Sequence, residues 1–294
     1  GAIVATHSPL KLLLVGSLTF AAASAFAFYL WLTPAPTLSA ADLAEVSGRI
    51  LVVADGDKAK ADALATRLGE EFVSMRGKTT PDFFSVADGV RAAMEFAGAP
   101  VVLADPADNA GGGAASDNTS ILRQLIDSGA SKAAIGPIWD PIAVRLCFDS
   151  GVGSSFPLRI GGKIGPASGQ PVDARVEVIA LKRDCWQSFG PTKVPLGDCA
   201  AVRIGGVDVI LITKRTQALG LELFSNLGID PRACKIVAVK STNHFMAAFG
   251  PIAAKVIFVE SDGPMIRNHA LLPYTKLQRP VWPLDKVTRP GLIF

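Results

Sequence analysis

Histidine is scarce in this sequence: 294 residues contain three, His7, His244 and His269. No His-Glu-x-x-His or comparable pattern joins them. A zinc site needs three or four His, Cys, Asp or Glu ligands on one fixed frame. The four cysteines, Cys147, Cys185, Cys199 and Cys234, include no Cys-x-x-Cys pair, which excludes a zinc knuckle or a thioredoxin-like motif. They read as buried free thiols, with a Cys185–Cys199 disulfide left open for an oxidising compartment. Runs of Lys or Arg are missing and the net charge is only +3, so nucleic acid is excluded as a partner. There is no Gly-x-Ser-x-Gly elbow to present a serine nucleophile. The motifs therefore point to no metal site and no cofactor.

What is present is mostly apolar: 49% of residues are hydrophobic and 19% charged, the balance of a globular chain. The apolar residues crowd first into Leu12–Trp31, where sixteen of twenty are hydrophobic and none is charged. Twenty helical residues rise about 30 Å, enough to cross a bilayer's hydrocarbon core. Tyr29 and Trp31 suit the headgroup level, and Pro34 and Pro36 stop a helix. The stretch predicts a single-pass transmembrane helix over Leu12–Trp31, which with a short N-terminal segment makes up 1–33, its N-terminus cytoplasmic and Lys11 the flanking charge. A cleaved signal peptide competes, with Ala25-Phe26-Ala27 resembling its cleavage site; a retained anchor is the expectation. A Pro/Ala-rich linker over 34–48 leads to a domain over 49–285 and a tail over 286–294.

The domain reads as α/β, a parallel or mixed sheet with flanking helices. Ile50–Asp55 predicts a buried strand, and Asp57 caps a helix reaching about Leu68. A helix over Ser85–Ala97, a strand over Pro100–Asp105, a helix over Thr119–Asp127, a strand over Ala133–Ile138 and a helix over Pro141–Phe148 follow. Alternation of this kind signals parallel strands. Residues 152–215 turn β-rich, with two Gly-Gly pairs suited to tight hairpins, and read as an insertion or subdomain. Strands over Lys235–Lys240 and Lys255–Ser261, with a helix over His244–Ala253 between them, close the domain.

Three polar clusters follow strands, where α/β folds place ligands. The first holds Asp105, Asp108, Asn109, the loop Gly111, Gly112 and Gly113, and then Ser116 or Asp117 as a helix cap. Its backbone N–H groups could face an anion, although no Gly-Lys-Ser/Thr follows as in a nucleotide-binding loop. Lys214, Arg215, Thr216 and Gln217 form the second. Lys240, Ser241, Thr242, Asn243 and His244 form the third. A shared crevice is the functional reading of all three; helix capping is the structural one.

The strings ILVVADGD, VVLADPADNAGGGAASDNT, AIGPIWDPIAVRLCFDSGVG, LRIGGKIGPASG, GGVDVILITKRTQA, LFSNLGIDP, VAVKSTNHF and RPVWPLD, in order from Ile50 to Asp285, resemble the C-terminal half of the microcystinase C (MlrC) family of metallopeptidases. The resemblance implies that the three clusters face an interdomain active site. It also implies that the family's zinc ligands belong to an N-terminal domain with no counterpart in this sequence. Two functions follow from the resemblance taken together with the apolar N-terminal stretch. The first is a membrane-anchored, non-catalytic accessory subunit of an integral membrane complex. Its partners would be the lipid bilayer and other subunits, met through the helix and the former interdomain face. The alternative is part of a zinc-dependent amide or peptide hydrolase whose metal domain another chain supplies. A small-molecule or anion-binding module using the glycine loop is a third, weaker reading.

Overall fold

A computed structural model describes residues 3–7, 10–16, 50–78, 81–265, 270 and 272–287. The chain divides into two compact units, Gly1–Thr80 with Asn268–Phe294, and Pro81–Arg267.

In the first unit, β1 (Ile3–His7), β2 (Leu10–Gly16) and β3 (Ile50–Val53) form a three-stranded antiparallel sheet. Helix α1 (Lys58–Ser74) follows, and the Asp57 carboxylate accepts the Lys60 N–H at 3.0 Å as its cap. The helix runs beyond the expected end at Leu68. The expectation of a buried strand at Ile50–Asp55 is corrected. β3 alternates, with Leu51 49% and Val53 48% exposed, so only one of its faces is covered by the described residues. Residues 12–16 of the expected transmembrane stretch are in β2. The remainder of that stretch, the linker over 34–48 and His269 lie outside the described residues. Among the described residues no helix is long and apolar enough to cross a membrane.

The second unit is built on one nine-stranded mixed sheet. Its elements are β4 (Phe83–Ser85), α2 (Val86–Glu95), β5 (Val101–Asp105), α3 (Ser120–Asp127), β6 (Ala133–Trp139), α4 (Pro141–Ser150), β7 (Ser155–Ile160), β8 (Val172–Phe189), β9 (Thr192–Ile204), β10 (Val207–Ile212), α5 (Glu222–Ser225), β11 (Ile236–Lys240), α6 (Met246–Phe249) and β12 (Lys255–Glu260). The strand order is β4-β12-β5-β11-β6-β10-β9-β8-β7. The first six are parallel, and β9, β8 and β7 continue antiparallel from β10.

Strand β5 shows why the middle of this sheet is so apolar. All five of its residues are buried. Val101 and Leu103 pack on one face with Ile121, Leu122 and Leu125 of α3 and Val90 of α2. Val102 and Ala104 pack on the other with Phe224 of α5 and Phe245 and Phe249 around α6. A strand covered on both faces carries no polar alternation. Burying each large apolar side chain stabilises the fold by about 1.5–3 kcal/mol.

Two expectations change here. The β-rich stretch is no separate subdomain: β10 pairs in parallel with β6, Val207 facing Ala133, so the antiparallel strands extend the same sheet. Of the two Gly-Gly pairs, Gly205-Gly206 does make the tight β9–β10 turn, with Ile204 paired to Val207. Gly161-Gly162 does not. It opens the longer link from β7 to β8, and Gly161, at φ +56°, packs so closely on the Asp117 carbonyl that a Cβ would lie 2.5 Å from its oxygen.

Candidate functional site

Because β5, β10, β11 and β12 run parallel, their C-terminal ends share one edge, and the loops leaving them meet there. The three polar clusters sit in these loops. Direct bonds join them. Asn109 Nδ2 donates to Thr242 Oγ1 at 2.8 Å, and Arg215 Nη1 donates to the carbonyls of Ala114 at 2.7 Å and Gly113 at 3.2 Å. Ser241 Oγ donates to Gln217 Oε1 at 3.1 Å, while Gln217 Nε2 lies 3.2 Å from His244 Nδ1. Gly111 lies so close under Gln217 that a Cβ would come within 2.4 Å of Nε2.

The clusters split into a buried floor and an exposed rim. Asp105, Asp108, Asn109, Asp117, Lys240 and Ser241 are all buried. Lys240 Nζ lies 2.9 Å from Asp108 and 3.5 Å from Asp105. Asp108 also accepts the N–H groups of Ser116 at 2.8 Å and Asn118 at 2.7 Å. Asp105 accepts Ser261 Oγ at 2.9 Å and the Ala107 N–H at 3.1 Å. Burial pushes the Asp105 carboxyl above the ordinary carboxylate range, against the pull of Lys240. Burial alone would lower Lys240, but the facing Asp108 and Asp105 carboxylates carry it above its ordinary value. Two acids and one lysine thus hold the 106–118 loop down from below, and the lysine is not a free donor for a ligand.

The anion-loop expectation is corrected by the backbone bonds. The Gly111 N–H goes to Asn109 Oδ1, the Gly112 N–H to the Asn109 carbonyl and the Gly113 N–H to the Ala110 carbonyl. A short 3-10 turn consumes these donors internally. Nor does Ser116 or Asp117 cap α3. Thr119 holds the cap position without a side-chain capping bond, and Asn118 Oδ1 accepts the Ser120 N–H at 2.9 Å just before it. Asp117 Oδ2 turns to the N–H groups of Lys163 and Ile164, and its Oδ1 is buried with no partner among the described residues.

The exposed rim consists of Gly111–Gly113, Arg215, Thr242, Asn243 and His244, with Thr216 and Gln217 half-buried among them. Phe189, at the tip of the β8–β9 hairpin, meets the His244 ring edge-on at 5.1 Å between centroids. Behind the rim, fully buried Gln187 donates to the Gln217 carbonyl at 2.7 Å and accepts the Leu219 and Gly220 N–H groups at 2.9 and 3.2 Å. Sequence reading missed Gln187, Phe189 and Ser261. Ser261 directly follows β12, a position that signals a site; Gln187 lies inside a long strand and carries no such signal.

Among the described residues no three His, Cys, Asp or Glu side chains are grouped to hold a metal ion. The acids of the buried floor do not fit one either. The Asp105 and Asp108 oxygens face Lys240, Ser261 and backbone N–H groups, and His244 Nδ1 faces Gln217.

These features define a mixed α/β domain with a polar rim at the C-terminal edge of its parallel strands. Residues 103–276 match the family described as MlrC C-terminus, and the chain belongs to that family. It is 35% identical over 250 residues to microcystinase C of Sphingomonas sp, across 84% of this chain and 48% of the relative. A crystal structure from Mesorhizobium sp. BNC1, of a protein provisionally named a metallopeptidase, superposes with a TM-score of 0.71. It is 22% identical and covers 94% of this chain and 57% of that one, a likeness of fold. The chain thus spans about half the length of the relatives it matches.

Proposed function

We propose that this chain supplies the non-metal half of an MlrC-type amide or peptide hydrolase: a prebuilt polar wall against which a metal-bearing domain closes on the substrate. The observation that carries this reading is the division of labour in the three clusters. Every acid and the one buried lysine are turned inward to fix the loops, while Arg215, Gln217, Asn243 and His244 are left facing outward or half-buried at the edge. A surface of fixed guanidinium, amide and imidazole groups orients carbonyl and carboxylate oxygens, the groups a peptide offers. In this reading the bond-breaking step belongs to the metal-bearing domain.

The test is a chimera in which residues 81–265 replace the matching segment of Sphingomonas microcystinase C. Retained amide hydrolysis supports the reading. A folded, metal-loaded chimera that neither hydrolyses nor binds peptide overturns it.

A second reading rests on the uncharged run at Leu12–Trp31. There the domain is a non-catalytic subunit tethered to a membrane complex, with the rim covered by another subunit or another copy of the chain. Resistance of the full chain to alkaline washing from membranes supports the tether, and release by the wash rejects it.

A further inference from the structure

The long hairpin of β8 and β9 has two parts. Its base lies within the main sheet. Its distal arm grips the rim: Gln187 holds the 217–220 loop, Ser188 Oγ donates to Glu222 at 2.8 Å, and Phe189 touches His244. Between base and arm the strand register breaks twice, from Lys182 to Cys185 and from Cys185 to Trp186. Asp184, at φ +49°, sits inside this bulge. Two of the four cysteines lie at the bulge, both buried in the same core cluster.

Their hydrogen bonds aim them at one another. Lys182 is the register partner of Cys199, and Gly197 is the partner of Cys185. The Cys185 thiol donates to the Lys182 carbonyl at 3.5 Å, and the Cys199 thiol donates to the Gly197 carbonyl at 3.5 Å. Each sulfur therefore leans toward the position facing the other cysteine. A surface cavity of about 180 Å³ reaches Cys185, lined also by Asp184, Trp186, Lys193, Pro195, Gly197 and Lys214. It is large enough for a small oxidant.

We propose that Cys185 and Cys199 are a peroxide-responsive thiol pair that closes into a reversible disulfide across the β8–β9 bulge. The Cys185 thiolate attacks one oxygen of a hydroperoxide. An S–O bond forms, the O–O bond breaks, and the leaving oxygen departs as water or alcohol after protonation. The Cys199 sulfur then attacks Cys185. The S–S bond forms, the S–O bond breaks, and hydroxide leaves as water with the Cys199 proton. The two sulfurs lose two electrons and the peroxide gains them. The neighbouring Cys199 thiol lowers the Cys185 thiol below its ordinary value, and the same neighbour together with burial raises Cys199. Burial pushes Cys147 and Cys234 up to about 11, so they serve as internal controls, the thiolate being the reactive form. The inference is independent of the hydrolase reading.

The test is peroxide treatment of the full chain, alkylation of remaining thiols, and peptide mapping without reductant. The expected result is one linked species joining Cys185 to Cys199, reversed by dithiothreitol, with Cys147 and Cys234 still alkylated. In Cys199→Ser the expected product is a Cys185 sulfenic acid, trapped by dimedone. A link that uses Cys234, a Cys185 that stays a thiol, or its direct passage to the sulfinic acid in the unsubstituted protein would overturn the proposal. The mapping needs no variant, so a misfolded substitution leaves the test standing.

Discussion

The Lys240 ammonium lies 2.9 Å from the Asp108 carboxylate, with neither side chain more than 2% exposed. One residue ends β11 and the other opens the loop after β5, so this contact ties the neighbouring strand ends together beneath the rim. Removing one partner of a buried pair strands the other's charge, which costs about 3–5 kcal/mol. Lys240→Ala strands two carboxylates, Asp108 and Asp105. Urea unfolding of this variant is expected to show a loss in that range. A loss below about 1 kcal/mol, the scale of an exposed pair, would contradict the role given to Lys240.

The Asp105 carboxyl supplies a pH dependence. Its folded value is raised above 3.8, chiefly by burial. Between the unfolded and folded values the native state therefore binds more protons than the unfolded chain. The stability this contributes is complete below 3.8 and is lost as pH rises through the folded value. Asp105→Asn mimics the neutral form at every pH. Relative to the wild type, the variant is expected to gain stability as pH rises above 3.8. A difference that stays flat, or that moves the other way, contradicts the assignment.

The architecture was largely legible because strands such as Val101–Asp105 and Ile236–Lys240 are continuous apolar runs ended by polar residues, and their ends mark the sheet's edge. The meeting of the three clusters follows from that parallel arrangement. Their internal economy did not follow. Nothing in the string Asp-Pro-Ala-Asp-Asn shows that Asp105 and Asp108 turn inward to Lys240, because the partner lies more than a hundred residues away. The glycine loop looked like an anion cradle because glycine permits both a nest and a 3-10 turn, and only the Asn109 and Ala110 acceptors decide between them. The three-residue strand β4 is too short to display a period, and β3 shows its antiparallel setting only through pairing with β2.

Gln187 holds the loop that carries Gln217. Gln187→Ala leaves the Leu219 and Gly220 N–H groups and the Gln217 carbonyl without this partner, and an unsatisfied buried group costs about 1–3 kcal/mol. The expected result is a stability loss of about 3 kcal/mol together with faster hydrogen exchange at the Leu219 and Gly220 amides. Unchanged exchange at those amides would show that the loop is held some other way.

The central claim is that the outward side chains of the rim contact substrate while the bond is broken elsewhere. The most direct measurement is steady-state kinetics of the hydrolase chimera carrying Arg215→Ala or His244→Ala. Loss of a binding contact made equally in the ground and transition states raises KM and leaves kcat in place. The account expects a KM increase of about tenfold, equivalent to about 1.4 kcal/mol, with kcat within about twofold and metal content unchanged. Unaltered KM and kcat in both variants would contradict it, and so would a collapse of kcat with KM unchanged.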